Sequence, residues 1–454
     1  MLRRWGAECM SSQTGSKQRR MEPRKHTGLL HWVTLAAVVT IFASGWSRFP
    51  GHDVSPFLLA GDAPTSAGTG NAPLFVGRFV SSSVDDIAHS ASLAPLGDGS
   101  LIAAWFAGSR EGSPSVAIRG SVFDAHAGEW GGERTLIDRA ATASGVLRHI
   151  RKLGNPVVAL TPDKRLWLFY VSVSVGGWAL SGVNVMYSDD LGQTWSTPRR
   201  LVTSPFFNVS TLVRGVPVFH RDGSIGLPVY HEFIGKFAEY LYLDRNGRVV
   251  EKFRISKGST ALQPTVVPFG EYSAVALLRN STNLSAHVLA SRTADGGRSW
   301  SAPEAVTPKN QDSSLAAIRT GERRNTILVA LNNLGLGRFR LSLYETEASL
   351  RRWTRIADLD QSPDPGGALI EPKRYRALIH EKYLGTAGAR HRGMANEFLR
   401  HLDQRMCQQA GCAFEYEYPN LLRTADGRFH VVYTWNNSFI KHVTFNSAWL
   451  ESFR

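Results

Sequence analysis

Short apolar runs broken by tight turns dominate this chain from about residue 100 onward. Leu101 to Phe106, Leu166 to Val175, Thr265 to Val267, Ser273 to Leu278, Thr326 to Leu331 and His430 to Trp435 are rich in branched and aromatic residues. Such runs, set between clusters of Gly, Asp, Asn, Ser and Pro, predict strands. Apolar positions at helical spacing are scarce over the same region. Two stretches depart from the pattern. Leu29 to Trp46 is an apolar run interrupted only by His31, Thr34, Thr40, Ser44 and Gly45, with basic residues before it. Pro372 to Gln409 is charged and contains helix formers such as Glu397-Phe398-Leu399-Arg400-His401-Leu402. It predicts a helical insertion at about 372–412, serving either as a lid over a site or as surface decoration.

Between the strands an eight-residue pattern occurs twice. Ser188-Asp189-Asp190-Leu191-Gly192-Gln193-Thr194-Trp195 reads S-x-D-x-G-x-x-W, and Thr293-Ala294-Asp295-Gly296-Gly297-Arg298-Ser299-Trp300 reads T-x-D-x-G-x-x-W. The spacing suits a hairpin turn: the hydroxyl and carboxylate bond nearby backbone N–H groups, Gly takes positive φ, and Trp folds back over an apolar layer. Degenerate copies run from Ser121-Val122-Phe123-Asp124 to Trp130, through Tyr242 to Gly247, and from Tyr344-Glu345-Thr346 to Trp353. A repeated unit of this kind points to a repeat architecture.

The pattern resembles the Asp-box of sialidase-like (neuraminidase, BNR-repeat) β-propellers. The marks at Trp130, Trp195, Gly247, Trp300 and Trp353 fall roughly 50 to 65 residues apart, which fits four-stranded blades. Tyr418 to Phe445, with a turn at Asp426-Gly427, supplies a further blade. The expected fold is therefore all-β, a six-bladed β-propeller, or seven-bladed if the long first interval hides one more. The boxes are structural and identify the scaffold, not the reaction.

The expected organisation is a basic leader with a signal peptide or signal-anchor at 1–46, a linker at 47–74 rich in Gly, Pro, Ser, Ala and Thr, and the propeller at 75–454. The leader carries Arg3, Arg4, Lys17, Arg19, Arg20, Arg24 and Lys25 ahead of the apolar run, the charge order of a segment whose N-terminus stays in the cytoplasm. Ala43-Ser44-Gly45 offers a small-residue cleavage site, and Met21 offers an alternative start. The propeller is expected outside the cytoplasm: periplasmic, secreted, or membrane-anchored through the uncleaved run. The net charge of +14 suits an acidic glycan partner. No basic-aromatic stripe suggests nucleic acid. No metal or cofactor is expected, because the three Cys and their His neighbours lack metal-ligand spacing. Cys407 and Cys412 would close a small local disulfide in an oxidising compartment, or remain free thiols otherwise. Oligomeric state is open.

The resemblance implies a site at one mouth of the central channel. There three arginines grip a carboxylate, a Tyr nucleophile is assisted by a Glu, and an Asp is the acid/base. Fork-like guanidinium groups match a carboxylate, and a phenol needs a neighbouring base to attack. Tyr418, in Tyr418-Pro419-Asn420-Leu421 ahead of Asp426-Gly427, matches the nucleophile. Arg279 matches the second arginine. Arg338 or Arg340 occupies the region of the third, and strand alternation puts both on one face. Three positions depart. His89 stands where the first arginine is expected. Ser109 to Ser115 carries no Asp. Gln263 stands near the assisting Glu.

The departures leave other chemistry in place. His89 can act as acid or base near neutral pH. Glu111 can serve as acid/base, Arg110 can replace the missing arginine, and Glu232 offers an assisting carboxylate at a strand end. Trp105-Phe106-Ala107-Gly108-Ser109-Arg110-Glu111-Gly112, Gly154-Asn155-Pro156 and Leu227-Pro228-Val229-Tyr230-His231-Glu232 resemble the bacterial BNR-repeat subgroup more than authenticated sialidases. The reading implied is an exo-acting glycoside hydrolase that removes a terminal acidic sugar, sialic acid or a uronate. The alternatives are a lyase on uronate-containing polysaccharide and a non-catalytic glycan-binding propeller.

Overall fold

A computed structural model describes residues 26–47, 53–59, 72–204, 208–258, 260–282, 287–320 and 325–453. The chain falls into two units, Met1–Asp53 and Val54–Arg454. In the first, the apolar run forms a helix, His26–Ser47, along which Leu29, Leu30, Trp32 and Val33 are exposed. Among the described residues no helix is long and apolar enough to cross a membrane.

The second unit is a six-bladed propeller of antiparallel sheets. The blades span residues 87–137, 152–200, 212–254, 261–309, 316–361 and 416–445, and are numbered 1 to 6 in that order. Within each blade the first strand in sequence is innermost and successive strands step outward. The ring is closed by chain crossing: Phe75–Phe79 pairs with the last strand of blade 6, in register from Phe75 opposite Phe445 to Phe79 opposite Lys441. The N-terminal strand thus supplies the outer edge of the final blade. The seven-bladed alternative fails because the long first interval holds an extra helix, Arg139–Val146, between blades 1 and 2. Asp138 caps that helix by accepting from the amide of Ala141.

The box turns close as the hydrogen-bonding inventory of their side chains requires. Ser188 Oγ donates to Asp190 at 2.6 Å and accepts from the amide of Gly192 at 2.7 Å, while Asp190 accepts from the amide of Thr194. Thr293 and Asp295 repeat these contacts with Gly297 and Ser299. Gly192 and Gly297 sit at φ +92° and +98°, a region L-side chains avoid. The box aromatics join neighbouring blades. Trp300 of blade 4 faces Tyr240 of blade 3, and the indole N–H of Trp130 in blade 1 donates to His442 of blade 6. Blade 3 has no box Trp. There Gly247, at φ +68°, leaves the space filled by Trp167 of blade 2: a Cβ at 247 would lie 2.8 Å from that ring.

The predicted insertion is helical, at Pro372–Thr386, Ala389–Arg392 and Ala395–Met406, followed by a hairpin closed by a Cys407–Cys412 disulfide. It is neither loose decoration nor a free lid. Tyr375, Ile379, Tyr383, Phe398 and Leu402 are fully buried in one core cluster with blades 5 and 6. Buried Asp360 of blade 5 ties it down, with Lys382 of the helix at 3.1 Å and Lys441 and Tyr433 of blade 6 at 2.8 and 3.1 Å. Part of the expected linker also packs. Phe57 is fully buried, bridges to His220, and donates its amide to the carbonyl of Glu271.

Candidate active site

Strand direction separates the two faces of the ring. The box turns follow the third strands and lie on one face. The starts of the innermost strands and the loops joining second to third strands lie on the other, and the candidate residues are on that second face. On or just ahead of its innermost strand, each blade has one non-glycine residue in the left-handed backbone region: Ser90, Asn155, Ser210, Gln263, Asp312 and Tyr418, with φ between +44° and +64°. In four blades a register slip marks the place, at His89/Ser92, Gly154/Val157, Leu262/Thr265 and Glu417/Asn420. Such a conformation costs on the order of 1–3 kcal/mol per residue and is kept only where its surroundings over-determine it. Here it turns six polar side chains or their neighbours toward one mouth.

Five of them, all but Ser210, join a connected polar ring. Ser90 Oγ donates to Asn155 Oδ1 at 3.3 Å, and Asn155 Nδ2 donates to the hydroxyl of Tyr230 at 3.1 Å. Gln263 Nε2 reaches the same hydroxyl at 3.4 Å, and Arg279 Nη1 donates to Gln263 Oε1 and to the Tyr418 hydroxyl, each at 3.3 Å. Arg279 Nε donates to Asp312 at 2.8 Å. Arg338 donates to Glu417 at 2.5 Å, and the other oxygen of Glu417 lies 3.6 Å from His89 Nε2. The ring of His89 meets the ring of Tyr418 edge-on, with centroids 4.6 Å apart. Three guanidinium groups surround Tyr418: Arg279 at its hydroxyl, and Arg214 and Arg338 at 5.6 and 5.9 Å from its ring centroid. Behind it, a cavity of about 350 Å³ continues down the channel between Arg214, Asn420 and Arg423.

Burial sets the protonation states. His89 is held below its ordinary value because desolvation outweighs the nearby carboxylates of Glu417 and Glu111, so its imidazole is neutral at physiological pH. Glu232 is pushed up, again by burial, against the opposing charges of Arg279, Lys236 and Lys152. Glu415 is raised by burial and then by its neighbour Glu417. Arg214 is lowered to about 10 by burial.

The structure therefore brings together His89, Gln263, Arg279, Arg338 and Tyr418, with Glu232 beside them on the blade 3 strand end. Glu111 stands on the exposed rim. It accepts from the indole N–H of Trp178 at 3.0 Å, and Lys152 lies over that ring at 3.9 Å. Arg110 is exposed beside it and has no side-chain hydrogen bond among the described residues. Its loop is braced by Ser109, Ser113 and Ser115, whose hydroxyls lie 2.9–3.0 Å apart.

Arg338 and Arg340 do not share a face. The strand begins only at Arg340, so alternation does not reach back to Arg338. Arg338 turns to Glu417 and Ser313, whereas Arg340 donates to the carbonyl of Asn333 and has no described contact with the ring.

Sequence reasoning missed Tyr230, Glu417, Asn155, Asp312 and Arg214. One signal for the ring was present. Asn155-Pro156, Gln263-Pro264 and Tyr418-Pro419 each lie near the start of an innermost strand, a repeat shorter than the boxes and on the opposite face.

A family model described as a BNR repeat-like domain matches residues 99–431. Among solved structures, a protein of unknown function from Dyadobacter fermentans is similar with a TM-score of 0.59 and 14% identity, over 82% of this chain and 98% of that one. The Hadza microbial sialidase Hz136 is similar at 0.57 and 15%, over 81% and 66%. The NanB sialidase of Streptococcus pneumoniae is similar at 0.56 and 9%, over 82% and 70%. No curated protein matches. At these identities the structural likenesses speak for the fold.

Proposed function

The chain belongs to the BNR repeat-like domain family, and from that premise we propose that it is an extracytoplasmic glycoside hydrolase removing a terminal acidic sugar from a glycan. The observation that carries this reading is the convergence on one mouth of a phenol, a neutral imidazole and two guanidinium groups. Tyr418 is the nucleophile. His89, packed against its ring and faced by Glu417, takes the phenolic proton as the Tyr418 oxygen bonds to the anomeric carbon. Glu232, whose carboxyl is pushed up by burial, gives its proton to the departing glycosidic oxygen. The role expected for Glu232, an assisting base, thus passes to His89, and Glu232 becomes the acid. In the second step Glu232 accepts a proton from water, water attacks the anomeric carbon, and the proton on His89 returns to Tyr418.

Arg279 and Arg338 supply the guanidinium groups for a substrate carboxylate. Each is matched by a carboxylate, Asp312 and Glu417, so a bound acidic sugar competes with them for these donors. Asp312, with its side chain 47% exposed, is the partner free to swing aside. The Cys407–Cys412 disulfide and the basic-flanked apolar leader support a location outside the cytoplasm.

The test is release of free sugar from sialosides and from uronate-terminated glycans by the wild type and Tyr418→Phe. Hydrolysis by the wild type, lost by at least about 1000-fold in the variant, is expected. An unsaturated uronate absorbance in the ultraviolet would assign a lyase instead, and turnover of neither substrate class would sink the reading.

A further inference from the structure

Arg214 lies on the innermost strand side of blade 3 and is 4% exposed. Its Nη2 donates to two consecutive carbonyls of blade 6, those of Tyr418 at 2.7 Å and Pro419 at 2.9 Å. Those carbonyls belong to the two residues inside the register slip at Glu417/Asn420, where Tyr418 holds φ +50°. The guanidinium carbon is 5.6 Å from the Tyr418 ring centroid. The charged and titratable groups facing Tyr418 are His89 of blade 1, Arg214 and Tyr230 of blade 3, Arg279 of blade 4, Arg338 of blade 5 and Glu417 of its own strand. Arg279 and Arg338 each bond a carboxylate. The described hydrogen bonds of Arg214 go to backbone oxygens. A buried cation without a carboxylate partner is costly to fold, and backbone bonds across the ring to a strained turn are what this one provides.

We propose that Arg214 is the positioning residue for Tyr418. By bridging the carbonyls of the left-handed turn from across the channel, it fixes the phenol at the mouth. It also places a third cation beside the Tyr418 ring, with Arg279 and Arg338. The catalytic consequence rests on the hydrolase reading above; the positioning does not.

Two measurements separate them. Ring-13C tyrosine is incorporated into the wild type, Arg214→Lys and Arg214→Met, with Tyr418→Phe identifying the Tyr418 signal among the 12 tyrosines. The Tyr418 signal is expected to shift and broaden in both Arg214 variants while the signals of tyrosines distant from the channel stay in place. On a hydrolysed glycan, kcat is expected to fall about 100-fold in Arg214→Met with KM within about twofold, the loss typical of a misplaced reacting group, and Arg214→Lys should recover about tenfold. A Tyr418 signal unmoved in Arg214→Lys overturns the proposal, as does a loss confined to KM. If Arg214→Met does not fold, the Lys variant decides alone. If the wild type turns over no glycan, the hydrolase reading fails and the ring signals still decide the role of Arg214.

Discussion

Asp360→Asn gives a sharp test of how the ring is locked. The Asp360 carboxylate is 5% exposed and lies between two ammonium groups, Lys441 at 2.8 Å and Lys382 at 3.1 Å, with the Tyr433 hydroxyl at 3.1 Å. Burial raises its pKa, but the two lysines outweigh that and hold it below the usual carboxylate range. Removing one member of a buried pair costs about 3–5 kcal/mol, because the remaining charge stays desolvated. Lys441 is 13% exposed on its side chain and suffers most of that cost, whereas Lys382 at 30% is partly relieved by water. We therefore expect about 3–4 kcal/mol of destabilisation, concentrated where the helical insertion meets blades 5 and 6. Urea unfolding at pH 7 reads the loss, and limited proteolysis should place the first cuts within 372–412. A second variant isolates the cause. Asp360→Leu combined with Lys441→Met and Lys382→Met removes all three charges and should recover most of the stability. The sign with pH follows. A depressed carboxylate contributes stability above its unfolded value near 4, lost as pH falls toward its folded value. A cost below about 1 kcal/mol for Asp360→Asn, or a triple variant no better than the single, would refute the reasoning.

Three further outcomes follow from the same structure. His430 and His442 are buried 3.0 Å apart, and burial lowers His430 to about 4. The unfolded state takes up protons first as pH drops from about 6.5, so stability should fall by about 3 kcal/mol between pH 6.5 and 4 on account of His430 alone. A flat urea midpoint over that window, or an equal fall in a His430→Gln variant, would contradict it. Gly247→Ala should cost more than about 2 kcal/mol in thermal or urea unfolding, since φ +68° is strained for Ala and its Cβ meets Trp167 at 2.8 Å; a neutral result would mean the Trp167 ring is free to move aside. Because burial raises Glu232, activity dependent on its proton should decline as pH rises through that value. Glu232→Gln should remove this alkaline limb of kcat/KM and lower the plateau by about 100-fold.

How far the sequence reached is clearest from particular residues. The boxes at Ser188 and Thr293 were legible because their hydrogen bonds close within five residues, so composition and spacing specify the turn. The helices of 372–406 were legible for the same local reason, but their burial against blades 5 and 6 was not. Arg338 and Arg340 could not be separated, because the answer depends on where a strand starts. The ring of left-handed residues escaped notice because φ is not written in any one side chain. Ser, Asn, Gln, Asp and Tyr all occupy it, and in four blades a register slip against the second strand accompanies it.

By itself the sequence determined the scaffold: short strands, turn chemistry repeated at blade spacing, and a departure from the family pattern at His89, Ser109 to Ser115 and Gln263. Only the tertiary structure decided which polar groups meet. Tyr418 is faced by groups from five positions on four other blades, His89, Arg214, Arg279, Arg338 and Tyr230, and the most distant of them in sequence, His89, lies more than 300 residues away. Turn chemistry is short-ranged and repeats, so it survives as a motif. The site is made where six innermost strands converge, and their mutual placement is set by packing between blades and by the closing strand Phe75–Phe79.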